Sequence, residues 1–490
     1  MRLGSVGPAG MPVLGNLLLI GALVAAALAL SQGLTRASFT STMGVLAALT
    51  LFGLVFVRTD FGLYVVTFSM LLSPEFAAGG GGIAEGRTIM VRSEDLILIV
   101  IGLAWLAKTA VNKELGIVAK TPLNRPILYY VVANVVATLI GYLWGSVNGY
   151  SGFFYVLKYV EYFVVYYMVV NNVHDRDHAR RLVIAAFLTA AIVSLVGIAQ
   201  IPAGERVSAP FEGEIGEPNT FGGYLLFMMA IAGGIALETH RFRMRAICLG
   251  LVGLLGLPFA FTLSRASYLG VVPTLLVLAW FTRQRKFMVG LVLLLTVCSP
   301  ILAVTLPTPV TKRILYTFEP EKGQATVRVG KVGLDPSTSA RLFSLQSALG
   351  GWLRRPVFGY GVTGFGFMDA QYARVLVETG AVGLAAFLWL IYTLLHSSLD
   401  AFRRLKVPED RGVALGFVAG TIGLLVHAIG SNTFIIVRIM EPFWFFAGIV
   451  LMLPQLERDD LAPPPPPKAA PVMTPARIPP GHRVAVRFGR

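Results

Sequence analysis

The chain has 490 residues, 55% hydrophobic and only 14% charged, which excludes an ordinary soluble domain and requires a lipid-embedded one. A net charge of +15 raises nucleic acid as a partner. No separate basic domain and no nucleic-acid motif accompany it, so the charge is assigned to Lys and Arg anchoring loops beside anionic lipid.

Apolar runs of about twenty residues mark the predicted spans. In chain order they cover 11–31, 42–57, 61–73, 95–111, 126–144, 152–171, 181–201, 220–237, 246–263, 267–281, 287–306, 371–396, 413–428 and 441–453. The first run imitates a signal peptide, but its length and the many later spans favour a retained helix. The fold class expected is therefore all-α, a polytopic membrane protein of about fourteen helices. Residues 1–306 hold spans one to eleven, 307–370 form one large loop, 371–456 hold the last three spans, and 457–490 form a proline-rich tail. That tail, with its run Pro463 to Pro467, cannot bury a core and is expected to be extended or disordered. Cys248 and Cys298 lie inside apolar runs, far from any CxxC spacing, so neither a disulfide framework nor a zinc site is expected.

Orientation follows from the Lys/Arg bias. Basic stretches at 108–125, 176–181, 241–245, 283–286 and 403–406 all fall on one face, together with both termini. Assigning that face to the cytoplasm puts 307–370 outside, where its many Lys and Arg run against the usual bias. A loop of that size among membrane helices is uncommon and usually functional.

Four separated outward arginines, Arg206, Arg265, Arg341 and Arg438, suit a multiply charged anion, because guanidinium stays protonated and grips phosphate oxygens through a planar fork. The bland alternative is snorkelling to headgroups, preferred for Arg354 and Arg355. Arg265 is different, since Leu263-Ser264-Arg265-Ala266-Ser267 pins it in a tight turn between two spans. Around Arg341 the spacing suggests a helix lying on the surface. Lys158 and Glu161 share one helix face inside the sixth span, either as a transport path or as a self-neutralised pair. No histidine is assigned to the outer face, since His427 falls within a span, so carboxylates are the available bases, chiefly Asp369 where the loop re-enters the membrane. The same Asp369 is equally placed to cap the following helix. Gly359-Tyr360-Gly361-Val362-Thr363-Gly364 does not follow a strand of a βαβ unit and reads as a flexible turn rather than a nucleotide loop.

An ordered set of motifs resembles the O-antigen ligase and O-antigen polymerase superfamily. It runs from Arg206 and Glu217-Pro218-Asn219-Thr220-Phe221-Gly222 through Ser264-Arg265-Ala266-Ser267 to Arg341. It continues with Arg355-Pro356-Val357-Phe358-Gly359-Tyr360-Gly361, then Asp369-Ala370-Gln371-Tyr372, and ends on Glu378-Thr379-Gly380. The resemblance implies a metal-independent membrane glycosyltransferase, with no cofactor, acting on an undecaprenyl-pyrophosphate-linked oligosaccharide at the periplasmic face of the bacterial inner membrane. It assigns the pyrophosphate to Arg206, Arg265 and Arg341, and catalysis to Asp369 and Arg265. Gln371, Tyr372 and Arg438 are the acceptor-side candidates. Ligases of the superfamily place a His-Asn pair nine residues before the Glu of the Glu-x-Gly motif; here that position is Asp369, which favours a polymerase of repeat units over a ligase. A chain-length regulator and a flippase are the partners implied. The competing class is a lipid-linked oligosaccharide transporter, against which stand the missing internal repeat and the single dominant loop.

Overall fold

The structure, a computed structural model, describes residues 39–77, 90–111, 119–211, 216–286, 336–366 and 368–461, with a few isolated positions between 288 and 333. Thirteen α-helices are present among the described residues. They are α1 (Phe39–Val57), α2 (Thr59–Leu72), α3 (Ser93–Val111), α4 (Asn124–Leu143), α5 (Gly149–Asn172), α6 (Arg176–Gln200) and α7 (Pro218–Glu238). There follow α8 (Phe242–Phe261), α9 (Arg265–Phe281), α10 (Pro336–Arg354), α11 (Gln371–Arg404), α12 (Pro408–His427) and α13 (Val437–Leu461). Two minimal antiparallel pairs, Glu75–Ala77 with Met90–Arg92 and Arg328–Val329 with Val332–Gly333, are the described β structure. Seven of the helices are long and apolar enough to cross a membrane, and three more are apolar but shorter. The expected span 11–31 and most of 287–306 lie outside the described residues, as do Cys298 and the tail beyond Leu461.

The solvent for which these helices are built can be read from α3. Leu96, Ile99, Leu103 and Leu106 stand exposed along one stripe, while Leu98, Ile101, Ala104 and Trp105 face the interior. Apolar side chains on the outer stripe are stable only against lipid. Helix α7 is the opposite case, buried along nearly its whole length, and it forms the axis of the bundle. It meets α12 at backbone distance. A Cβ on Gly416 would strike the Ile231 Cα and the Ala230 carbonyl, and one on Gly412 would come within 2.8 Å of the Gly234 carbonyl. Small residues spaced four apart (Gly412, Gly416, Gly420) allow this, and van der Waals packing then replaces the hydrophobic drive that lipid cannot supply.

Hydrogen bonds and ion pairs knit each end of the bundle. At the lower end Arg176 pairs with Asp410 at 2.7 Å and Asp460 at 3.2 Å. Glu238 there pairs with Arg411 at 2.9 Å and Arg283 at 3.7 Å. The upper end gathers the α2–α3, α4–α5, α6–α7 and α8–α9 connections, the segment from Pro336 to α11, and the α12–α13 connection. Helices α5, α7, α9, α11 and α13 begin there, so their positive dipole ends point to one place.

Candidate functional site

The site grows from the α8–α9 turn. Leu263 is forced into the left-handed region at φ 51°, which throws Ser264 into position to cap α9. The Ser264 hydroxyl accepts from the Ser267 N–H at 3.3 Å and donates to Asn219 Oδ1 of α7 at 2.8 Å. Arg265 is thereby the first residue of α9, held half-buried. From the α6–α7 connection, Arg206 donates from Nε to the Thr262 carbonyl at 3.0 Å and from Nη2 to the Leu263 carbonyl at 3.4 Å. Its guanidinium is thus docked on the turn that presents Arg265. Gly222 matters here, because a Cβ would run into the Ser267 hydroxyl and push α7 off α9.

The third arginine comes from α10. Arg341 Nη2 donates to Asp369 Oδ2 at 3.1 Å, with both side chains part-exposed. Its other terminal nitrogen would lie 4.0 Å from a Cβ placed on Gly430, and the same Cβ would come within 3.3 Å of the Ala266 side chain beside Arg265. Arg206, Arg265, Arg341 and Asp369 are therefore drawn around one turn, from four stretches far apart in sequence. Asp369 does not cap the helix after it. Ala370 is the N-cap of α11 and makes no side-chain cap, so the carboxylate is spent on Arg341 instead.

The remaining candidates sit differently. Gln371 is buried, takes the Phe434 N–H on Oε1 at 3.0 Å, and donates its own N–H to the Ala428 carbonyl. The Tyr372 hydroxyl donates to the Leu425 carbonyl at 2.6 Å. Both fasten α11 to the top of α12. Arg438 is fully buried and donates to the carbonyls of Pro210 (2.7 Å), Ser73 (3.1 Å) and Phe211 (3.4 Å), tying three connections together.

Two expectations need correction. The stretch 359–364 is not a flexible turn: Val362 is fully buried, and the Tyr360 and Gly361 N–H groups donate to the carbonyls of Val377 and Glu378. It fits into a break in α11 at Gly380, whose φ of 66° and lack of a Cβ let the backbone of Val357 lie against it. Glu378 closes the joint by accepting the Thr363 N–H at 3.1 Å while pairing with Arg374 at 3.2 Å. Arg355 does not snorkel; it lies over the rings of Trp144 at 4.7 Å and Tyr360 at 4.4 Å and donates to the Ser146 hydroxyl. His427, expected within a span, is the last residue of α12 and is fully buried.

A separate buried ionic group lies between α3, α5 and α13. Lys158 pairs with Glu161 at 3.3 Å and, unforeseen from the i, i+3 pattern, with Asp95 of α3. Glu94 and Glu441 are buried in the same region. Lys158 is thus shared between helices rather than satisfied within its own.

Fold and site define a multi-pass helical membrane protein with a part-exposed cluster of arginines at one end of the bundle. Over residues 249–388 the chain matches the family model described as O-antigen ligase, consistent with the O-antigen ligase and polymerase superfamily. That segment carries Arg265, Arg341, Asp369 and Glu378; Arg206 and His427 lie outside it. Curated proteins yield no match to this chain.

Proposed function

We propose that the protein is a membrane-embedded glycosyltransferase that polymerises undecaprenyl-pyrophosphate-linked oligosaccharide repeat units at the periplasmic face. One observation carries the reading: Arg206 docks on the α8–α9 turn that presents Arg265, and the Arg341–Asp369 pair lies across Gly430 from Ala266 of the same turn. Three fixed guanidiniums, aided by the helix N-termini beneath them, match the charge that accumulates on a departing pyrophosphate. Charge stabilisation is strongest when the donors are held in place before reaction, and here backbone carbonyls hold Arg206 and an ion pair holds Arg341.

Asp369 is the acceptor-side group. Its bond to Arg341 leaves Oδ1 to orient or deprotonate an incoming sugar hydroxyl, which attacks the anomeric carbon as the lipid pyrophosphate leaves. Gln371, Tyr372 and Arg438 work as fasteners in this reading, since their polar atoms are engaged with backbone.

The deciding experiment supplies purified protein with a lipid-pyrophosphate-linked repeat unit and follows chain growth on a gel, with Arg265→Ala in parallel. A ladder from the wild type that vanishes in the variant supports polymerisation. Transfer of a single unit to a different lipid-anchored acceptor, without a ladder, makes the protein a ligase. Neither product from folded protein, with movement of the lipid-linked unit across a vesicle bilayer, makes it a transporter.

A further inference from the structure

We infer that His427 is a positioning residue of the upper site, seating Asp369 and Arg341 by stapling the α12–α13 connection from beneath. This rests on the reading of that site given above. His427 is fully buried, and its Nδ1 lies 2.6 Å from the hydroxyl of Thr433, itself fully buried six residues on. The bond closes residues 428–432 into a short loop. That loop grips both flanks of Asp369. Asn432 Nδ2 donates to the Met368 carbonyl at 2.6 Å, the Ala428 carbonyl accepts the Gln371 N–H at 3.2 Å, and the Phe434 N–H donates to Gln371 Oε1. Gly430 is in the middle of the loop, and a Cβ placed there would lie 4.0 Å from Arg341 Nη1.

The other side of the imidazole faces α7. Nε2 and Cε1 would lie 3.4 Å and 3.2 Å from a Cβ on Gly223, and the backbone of Asn219 is beside the ring. Asn219 in turn takes the Ser264 hydroxyl that starts α9 and presents Arg265. The ring therefore spans from the loop that seats Asp369 to the helix end that supports Arg265. A hydrophobe of the same size fills the space but cannot bond Thr433 to hold the loop in register, and a displacement of about 1 Å at a reacting group costs roughly a hundredfold in rate. The charged groups facing His427 and its loop among the described residues are Arg341 and Asp369.

The test has two arms on the full-length protein in nanodiscs. In hydrogen–deuterium exchange, Thr433→Val should speed exchange at the Gln371 and Phe434 amides about tenfold, the equivalent of one lost hydrogen bond, while Thr433→Ser keeps wild-type rates. In chain growth, Thr433→Val and His427→Leu should each lower kcat about tenfold with KM within about twofold, the pair together no worse than either alone. His427→Asn, which returns a polar atom to the Nδ1 position, should recover most of kcat. Unchanged exchange in Thr433→Val overturns the inference, and so does faster exchange with undiminished kcat. Should the wild type make no polymer, the glycosyltransferase reading falls, and the exchange comparison still decides whether His427 seats Asp369.

Discussion

Arg341 and Arg438 show how differently two arginines at one end of a bundle are used. The Arg341–Asp369 pair is 23% and 34% exposed, and a pair so open contributes about 0–1 kcal/mol to stability. Arg341→Gln and Asp369→Asn should therefore leave thermal stability almost unmoved while polymer yield falls more than about tenfold, as expected for groups acting in the transition state. Equal polymer yield from folded Asp369→Asn would remove it from the mechanism. Arg438, at 0% exposure, spends its donors on three carbonyls. Arg438→Met leaves those carbonyls unpaired at about 1–3 kcal/mol each and should appear as lost folded protein in detergent, with the surviving fraction retaining its rate. The sequence placed Arg438 with the others because charge and loop position are all that it displays. Burial and backbone partners separate them, and those depend on residues more than two hundred positions away.

Seven of the expected spans recur as helices long and apolar enough to cross a membrane and three as shorter apolar helices, since a long apolar run announces a span whatever its neighbours. Their pairing was not legible. Gly412, Gly416 and Gly420 spell out a small-residue stripe, the one local signal that α12 approaches another helix closely, yet nothing in it names α7 as the partner. A substitution series separates such contact glycines from idle ones. Gly416→Val drives a side chain into the Ile231 backbone and should part α7 from α12, abolishing the folded protein. Gly250→Ala and Gly253→Ala on α8 meet nothing within 4 Å and should be neutral or stabilising by about 0.5–1 kcal/mol, read as a rise in Tm. The Gly-Tyr-Gly stretch was misread for the same reason. Its glycines look like freedom in one dimension, whereas Gly361, with φ 87°, is pressed against the Ala137 carbonyl and Val147, and Gly359 against the carbonyls of Val377 and Glu378.

At the scale of the whole molecule, ion pairs among the described residues are more numerous at the lower end than at the upper. The lower end carries Arg176, Arg241, Arg283, Arg404 and Arg411, each with a carboxylate within reach on a neighbouring element or the next helical turn. The upper end holds Arg206 on backbone carbonyls, Arg355 on aromatic rings and Arg341 on a part-exposed aspartate, beside the buried Arg374–Glu378 pair. The four motif segments that build the site were visible in the sequence as separate weak signals. Their convergence was visible only through the order in which they recur in a resembling family, since no local rule brings residue 206 to residue 262. The same distribution predicts the protein's orientation. Paired basic residues at the lower end suit the anionic cytoplasmic leaflet, and a part-exposed cluster of arginines suits a face where lipid-linked pyrophosphate is presented. In a chain with Cys248 and Cys298 replaced by Ala, single cysteines at Gly204 and at Lys406 test it. A membrane-impermeant maleimide applied to spheroplasts should label the first and spare the second until the membrane is permeabilised. The reverse pattern would put the arginine cluster in the cytoplasm, within reach of nucleotide sugars, and the donor would then have to be sought among those instead.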